Sequence, residues 1–215
     1  MDVKLFKKQF SDVEDRFPKL RYIWSEEFHS MVIIGKLDIC DQKGVFWDSY
    51  DILLITGKNY PFSVPILIET SKKVPHEEER HISKEGICCM DMDHKLLKVA
   101  SKGIHLCQFI LDFVYPFFTN QLYYDQECEY ANGEWSHHFE GIVEFYHQEL
   151  QLSDPVLIVK FLERLLTNSL PPRNSPCLCG SKKYKDCKCK QSIDFLKGLP
   201  THRLQEDLEG FRKLI

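Results

Sequence analysis

The sequence lacks any long hydrophobic run and any strong excess of one charge. No stretch of about 18 consecutive apolar residues occurs, so a membrane-spanning helix is not predicted. The chain begins with an acid and several lysines instead of the apolar segment of a secretory signal. The formal net charge of -4 argues against a protein built to coat nucleic acid. We therefore expect a cytoplasmic protein with no membrane partner, and nucleic acid is not favoured as a partner.

The chain also lacks internal repeats and low-complexity segments. With 215 residues, of which 43% are hydrophobic, it is long enough for one substantial core and a small appendage. Its composition predicts a main domain over residues 1–150 and a helix with a proline-rich linker over residues 151–175. A cysteine-rich module with a helical tail follows over residues 176–215.

Patterning in the first 70 residues predicts one helix and then strands. Apolar residues recur at steps of three and four between residues 2 and 16, which indicates one buried helical stripe. Residues 31–40 and 45–56 are rich in β-branched and aromatic side chains and predict a hairpin, and residues 65–70 predict a third strand. Further helices are predicted for residues 104–115, 117–122, 142–150, 156–166, 193–198 and 203–214. The fold class is therefore α+β.

Two adjacent thiols, Cys88 and Cys89, follow a glycine in the middle of the chain. In a reducing compartment these thiols are candidates for chemistry rather than for a disulfide bond. Neighbouring residues of an extended segment point to opposite sides, so one thiol is expected to be exposed and reactive while the other packs inward. The other dispersed cysteines, Cys40, Cys107 and Cys128, show no such pattern, and Cys107 is expected to be a small core residue.

The residues around these thiols resemble the ubiquitin-conjugating (E2) family. The resemblance rests on the turn from Tyr60 to Pro65, with its second proline, and on the step Gly86-Ile87-Cys88-Cys89-Met90-Asp91. It implies a UBC-like fold, which has an N-terminal helix, an antiparallel β-meander and C-terminal helices. It also implies that Cys89 is the catalytic nucleophile and that Cys88 occupies a buried aliphatic position.

The sequence departs from the family where the family has His-Pro-Asn, because it reads His81-Ile82-Ser83. The asparagine that usually stabilises the oxyanion is therefore absent. His81, Ser83 or the adjacent histidines His137 and His138 are candidates to replace it or to accept a proton. The alternative is that each of the two loop histidines only hydrogen-bonds a loop carbonyl.

The resemblance also implies partners and a reaction. Cys89 would receive the C-terminus of a ubiquitin-like protein from an E1-like activating enzyme as a thioester and pass it to an amine of a protein target. Lys4, Lys7 and Lys8 lie off the apolar stripe of the first helix, where the family docks its E1, although a solvated face is the simpler interpretation. Phe62, in the Tyr-Pro turn, is a further candidate for partner binding.

Four cysteines are clustered near the end of the chain: Cys177, Cys179, Cys187 and Cys189. Clustered cysteines in a reducing compartment predict metal ligation, and four thiolates suit a closed, structural zinc site. The pattern Cys-x-Cys-Gly-Ser with a second Cys-x-Cys resembles the SEC-C motif, a small zinc knuckle. Because that motif occurs largely in bacterial proteins, the resemblance favours a bacterial conjugation pathway, with antiphage defence as a candidate setting.

Two other classes of function remain open from the sequence. The chain is also compatible with a catalytically silent E2-like adaptor that acts through its zinc knuckle. A cysteine hydrolase that pairs Cys89 with His137 or His138 is the other alternative.

Overall fold

The computed structural model describes residues 1–131 and 133–215. They form two compact units, Met1–Gly133 and Glu134–Ile215. The division after Gly133 differs from the boundary at residue 150 that the sequence predicts. Across the described residues, no helix has the length and apolar character needed to cross a membrane.

The first unit begins with helix α1, Val3–Arg16. Asp2 caps it, since its side chain accepts a hydrogen bond from the Leu5 amide at 3.0 Å. The predicted apolar stripe is confirmed in its centre, where Phe6 and Phe10 are buried. The helix ends before Pro18, which disfavours helical geometry in the residue that precedes it.

A four-stranded antiparallel sheet follows α1 in a simple meander. Its strands are β1 Leu20–Ser25, β2 Ser30–Cys40, β3 Phe46–Ile55 and β4 Ile66–Glu69. The predicted hairpin is β2 with β3, and the strand predicted for residues 65–70 is β4. Strand β1 was not predicted, because it is an edge strand in which few side chains are buried and the hydrophobic alternation is weak.

The core of this unit lies between one face of the sheet and the helices. Tyr50 of β3 stacks on Phe118 with the ring centroids 4.4 Å apart. Phe6 of α1 meets Tyr60 edge to face at 5.7 Å. Both contacts join elements that are distant in sequence, so the helices and the sheet share one hydrophobic core.

Helices complete the first unit after the cysteine segment. They are α2 Asp93–Ser101, α3 Leu106–Phe109, a π-helical turn Ile110–Val114, and α4 Tyr115–Glu127. Pro116 predicts that the helix bends or stops there, and the stop is wrong, because the chain remains helical through it. The wider π turn, closed by a bond from the Tyr115 amide to Ile110 O, lies immediately before the proline, which has no amide hydrogen and needs room.

The second unit contains helices and the cysteine-rich segment. Its elements are α5 His138–Gln148, α6 Pro155–Leu166, a 3₁₀ turn Tyr184–Asp186, α7 Cys189–Leu196 and α8 Thr201–Arg212. Phe139 and Phe211 pack edge to face at 5.2 Å, and the Tyr146 hydroxyl donates to Asp207 at 2.7 Å. Helix α5, which the sequence analysis assigned to the main domain, therefore packs with the C-terminal tail. The α+β class is confirmed.

Candidate functional site

The two adjacent thiols lie on a short hairpin that extends the sheet. Ser83 and Ile87 pair across it, with the Ser83 amide donating to Ile87 O at 2.9 Å. The returning arm joins β4, since the Cys88 amide donates to Leu67 O at 2.9 Å and the Glu69 amide donates to Gly86 O at 2.9 Å. The returning arm of the hairpin therefore has backbone hydrogen bonds on both of its sides, to β4 and to the first arm.

Gly86 is required at the turn of this hairpin. Its φ of +86° lies in the left-handed region, and a Cβ atom there would be 2.6 Å from the backbone oxygen of Glu69. Any side chain would push the hairpin away from β4. Gly86 is thus needed both for the turn of the hairpin and for the close approach of the hairpin backbone to β4.

Cys88 and Cys89 point in opposite directions, as their positions predict. Cys88 is 6% exposed and belongs to the core, whereas Cys89 is exposed. Burial raises the pKa of the Cys88 thiol to about 12, so this residue is a protonated packing group at neutral pH. Of the pair, only Cys89 is placed to meet a second protein.

The surroundings of Cys89 hold its thiol in the protonated form. Desolvation raises the pKa of Cys89, and the nearby carboxylates of Asp93 and Asp91 raise it further. Its backbone amide donates to His81 O at 2.8 Å. That amide is therefore not available to stabilise an oxyanion, and the nucleophile must lose its proton before it can react.

Arg80 anchors the segment that precedes Cys89, although the sequence analysis did not identify it. Its side chain is buried and donates from Nε to Gln121 Oε1 at 2.8 Å, while Gln121 Nε2 donates back to Arg80 O at 3.0 Å. Arg80 also pairs with Asp125 at 2.7 Å and lies over the Tyr124 ring. A glutamine among the apolar residues of α4 was the available signal. This network fixes Arg80, the residue before His81. The His81 carbonyl in turn accepts the hydrogen bond from the Cys89 amide.

A buried carboxylate stabilises the opposite side of the hairpin. Glu69 is 1% exposed and accepts hydrogen bonds from the amides of Ser71 and Lys72, each at 2.9 Å. His76 Nε2 lies 2.9 Å from the same carboxylate. Since Glu69 is also the backbone partner of Gly86, these contacts make β4 a firm support for the cysteine hairpin.

The two candidate residues near Cys89 have defined structural roles. The Ser83 hydroxyl donates to Glu85 at 2.9 Å and accepts from the Ile87 amide at 3.2 Å, so it organises the turn. His81 has a positive φ of 54° and its ring lies 5.3 Å from that of Tyr130. The structure brings His81 and Cys89 together through their backbones, and a catalytic role for either candidate stays a prediction.

The loop histidines belong to the second compact unit, whereas Cys89 belongs to the first. His137 immediately precedes helix α5 and His138 is its first residue. Their ring centroids are 6.3 Å apart. The predicted assistance of Cys89 by either imidazole stays a prediction.

The predicted partner-binding residues are accessible. Lys4, Lys7 and Lys8 are exposed on the side of α1 that does not pack on the core. Phe62 is 65% exposed, which is unusual for so large an apolar side chain. These positions suit contacts with another protein, and the identity of that protein stays a prediction.

The four clustered cysteines form a candidate metal centre in the second unit. The sulfur atoms of Cys177, Cys179, Cys187 and Cys189 lie within 4.8 Å of one another. Four thiolates around a tetrahedral ion with metal–sulfur distances near 2.3 Å are about 3.8 Å apart, so the arrangement can hold a metal ion such as zinc. The structure therefore supports the prediction that these four cysteines form a cluster able to hold a metal ion.

Hydrogen bonds favour ionisation of one of these thiols. Burial opposes ionisation of Cys179, but hydrogen bonds from Ser181 and the neighbouring thiols outweigh it and lower its pKa to about 6. Ser181 Oγ lies 3.1 Å from the Cys179 sulfur. These hydrogen bonds therefore favour a thiolate at Cys179, and a bound cation would favour ionisation of the other three thiols.

Comparison with known proteins gives no relative for this chain. No protein-family model matches it, and neither the curated proteins nor the solved structures contain a match.

Proposed function

We propose that the protein is an E2-like carrier of a ubiquitin-like protein. The Cys89 thiolate attacks the thioester carbonyl of a ubiquitin-like protein held on an E1-like enzyme, and the E1 thiol leaves. An amine of a protein target then attacks the new thioester, and Cys89 is released as a thiol. This is the acyl transfer that an exposed, firmly held cysteine can perform without a redox partner.

The exposure of Cys89 beside the buried Cys88 is the observation that carries the proposal. An acyl carrier needs a sulfur that a second and a third protein can reach in turn. It also needs a rigid support, since small displacements of a nucleophile slow acyl transfer strongly. The hairpin between β4 and the Arg80 network supplies that support.

The order of elements agrees with a UBC-like fold. Helix α1 precedes an antiparallel meander of four strands, with the Tyr60-Pro61 turn between β3 and β4; the cysteine hairpin follows, and helices complete the unit. The turn is bonded to the chain beyond the cysteine hairpin, since the Ile104 amide donates to Pro61 O at 2.8 Å. The UBC-like assignment remains part of this proposal.

The raised pKa of Cys89 favours the proposed carrier over a cysteine hydrolase. The nucleophile of such a hydrolase has its pKa lowered by an imidazolium partner, whereas desolvation and two carboxylates raise the pKa of Cys89. A carrier thiol that is mainly protonated when alone resists adventitious electrophiles. Binding of the E1, with removal of the proton by His81, would then activate it.

The cysteine cluster is proposed to hold a structural zinc ion. Zinc prefers sulfur ligands and tetrahedral geometry, and four protein thiolates leave no position for a substrate. The residues Cys177, Cys179, Cys187 and Cys189 would each supply one thiolate. The ion would fix the loop from residue 177 to 189, which has little regular structure of its own.

The proposed partners are an E1-like enzyme, a ubiquitin-like protein and a protein target. Lys4, Lys7 and Lys8 on α1 provide a basic surface for the E1, and Phe62 provides an apolar contact. A bacterial conjugation pathway, with antiphage defence as a candidate setting, agrees with the SEC-C-like motif.

The test combines purified protein with a candidate E1, its ubiquitin-like protein and ATP. We expect an adduct that disappears when a reductant is added before electrophoresis. Cys89→Ser should replace it with an oxygen ester that survives reductant, and Cys89→Ala should abolish it. Cys128→Ser is the matched control, since Cys128 is also exposed in the same unit.

The same experiment separates the alternatives. An adaptor would give no adduct, and its binding to partners would survive Cys89→Ala but not loss of the metal centre. A hydrolase would release the tail of the ubiquitin-like protein without E1 or ATP. Either result would contradict the carrier function.

A further inference from the structure

A strongly basic segment surrounds the cysteine cluster in the second unit. Residues 173–190 contain six cationic side chains and one acidic side chain, whereas the whole chain has a net charge of -4. The basic surface consists of the five cations of this segment that are exposed: Arg173, Lys182, Lys183, Lys185 and Lys188. The chain is therefore acidic as a whole but carries a local excess of positive charge.

The five cations of the basic surface are not neutralised within the protein. None of them takes part in an ion pair among the described residues, whereas Lys190, the sixth cation of the segment, pairs with Asp194. A metal ion in the cysteine cluster would not neutralise them either, because four thiolates and one divalent ion carry a charge of only about -2. With Asp186 counted, the segment would keep an excess of about three positive charges.

Backbone hydrogen bonds hold the basic surface in a defined shape. The Lys185 amide donates to Arg173 O at 3.0 Å, and Pro176 pairs with Lys183 in an antiparallel β-bridge. Arg173 and Lys185 therefore lie on paired arms of the chain, where like charges repel each other. Because this repulsion opposes folding, the arrangement is not explained by stability, and a bound anion would relieve it.

The basic surface lacks the apolar side chains on which protein interfaces are centred. No large hydrophobic side chain is exposed between residues 173 and 190, and the one aromatic residue of this segment, Tyr184, is 5% exposed. Protein interfaces depend on buried aromatic or aliphatic anchors, and single-stranded nucleic acid binds through bases stacked on exposed rings. The backbone of a nucleic-acid duplex requires only cations that reach its phosphates, so it fits this surface best.

We propose that the basic surface binds the phosphate backbone of duplex nucleic acid without reading its sequence. Arg173 and the four lysines would approach phosphate oxygens, and the release of condensed counterions would drive binding. The acidic remainder of the chain does not prevent this, because charges farther apart than about 10 Å are largely screened in 0.1 M salt. The basic surface belongs to the second unit and the Cys89 hairpin to the first, so this binding does not depend on the proposed carrier function.

The test measures binding of the full-length chain by fluorescence anisotropy, with labelled duplexes of DNA and of RNA about 20 base pairs long. We expect the affinity to fall by about 100-fold between 50 and 200 mM salt, as about four phosphate contacts require. Labelled poly-glutamate should bind at least about tenfold more weakly than a duplex, because its charges lie about 3.4 Å apart instead of about 1.7 Å. Binding of only one duplex would identify that nucleic acid as the partner.

A variant of the basic surface carries Lys182→Gln, Lys183→Gln and Lys185→Gln. Its affinity for the duplex should fall at least about tenfold in low salt, and the slope of log K against log salt should become less steep by about three. The matched control variant carries Lys43→Gln, Lys58→Gln and Lys102→Gln, which remove three exposed lysines of the first unit. The control has the same net charge as the test variant and should keep the affinity and the slope.

Metal content and thermal unfolding are compared among the three proteins, so that a loss of binding is not confused with a loss of the fold. The salt dependence of the unsubstituted protein tests the proposal even where the variant of the basic surface does not fold. Absence of binding to either duplex at 50 mM salt, an affinity that does not change with salt, equal losses in the two variants, or tighter binding of poly-glutamate would overturn the proposal.

Discussion

The contrast between Cys88 and Cys89 is set by the face of the hairpin to which each side chain points. Alternation along an extended segment places one thiol in the core and the other at the surface. The opposite orientations of the two thiols could be predicted, because the two cysteines are adjacent in the sequence. The charge around Cys89 could not be predicted in the same way, because it depends on how α2 brings Asp93 back toward the thiol.

At the scale of single residues, the pKa of Cys89 leads to a prediction. Because desolvation, Asp93 and Asp91 raise that pKa, the thiolate fraction near neutral pH is small and alkylation by iodoacetamide should accelerate as pH rises. Asp93→Asn removes one negative charge, lowers the pKa and should increase the rate near neutral pH. The rate at Cys89 is measured by peptide mass spectrometry.

Asp15→Asn is the control for this experiment, since Asp15 is exposed on α1 and is not among the groups that shift the pKa of Cys89. Its alkylation profile should match that of the unsubstituted protein. A rate at Cys89 that is already maximal near neutral pH would show that the thiol is ionised there, in disagreement with the structure.

Arg80 gives a second prediction for a single residue. Arg80→Ala leaves the buried Gln121 Oε1 without its donor, while Gln121 Nε2 keeps the backbone oxygen of residue 80, and the free energy of unfolding should fall by about 2–3 kcal/mol. Asp125→Asn removes only the exposed member of the network, which is 53% exposed, and should lower it by at most about 1 kcal/mol. Urea denaturation measures both changes. Equal effects of the two substitutions would show that the buried glutamine contact is unimportant.

At the scale of elements, the cysteine hairpin depends on its contact with β4. Gly86→Ala places a methyl group against the backbone oxygen of Glu69 and should destabilise the protein by about 2 kcal/mol or more. Gly44→Ala is the matched control, because Gly44 also has a positive φ but a Cβ there meets nothing within 4 Å. The control should lose only about 1 kcal/mol from backbone strain.

Thermal or urea unfolding would compare the two glycine variants. If they are equally destabilised, the close approach of the hairpin to β4 contributes nothing and the support of Cys89 must lie elsewhere. If only Gly86→Ala is strongly destabilised, the hairpin of that variant is no longer held against β4. Its Cys89 should then also react more readily with thiol reagents.

Elements with strong periodicity were predicted well from the sequence. The stripe of α1 and the β-branched runs of β2 and β3 carry their signals within one element. Strand β1 and helix α2 were missed, because an edge strand and a short helix bury few side chains and their patterns are weak. The helix around Pro116 was predicted to bend or stop, and the continuous helix with a π-helical turn was not predicted, since such a turn has no signal in the sequence.

At the scale of the whole molecule, a metal ion held by the four clustered cysteines would stabilise a segment that has little regular structure of its own. A chelator should remove about one metal ion per chain and lower the stability of the second unit by about 3 kcal/mol or more. Metal content is measured by elemental analysis, and stability by thermal unfolding before and after chelation. Cys189→Ser should lose the metal, whereas Cys128→Ser should retain it.

The second unit joins this centre to helices that lie far from it in sequence. Ser192 of α7 donates to Leu150 O at 2.6 Å, and Phe145 of α5 lies 5.8 Å from Phe195. Loss of the metal should therefore loosen α5 as well, which hydrogen exchange would detect. Unchanged exchange in α5 after chelation would show that the cysteine segment is independent of the helices.

The sequence by itself determined the α+β class, the position of the first helix and the hairpin, the opposite directions of Cys88 and Cys89, and the cluster of four cysteines. Each of these follows from local periodicity or from the spacing of residues. The tertiary structure decided the rest: the anchoring of the Cys89 hairpin by Arg80 and Gln121, the carboxylates that hold its thiol protonated, and the packing of α5 with the C-terminal tail. These depend on contacts between distant residues, and no local pattern in one sequence specifies which distant residues will meet.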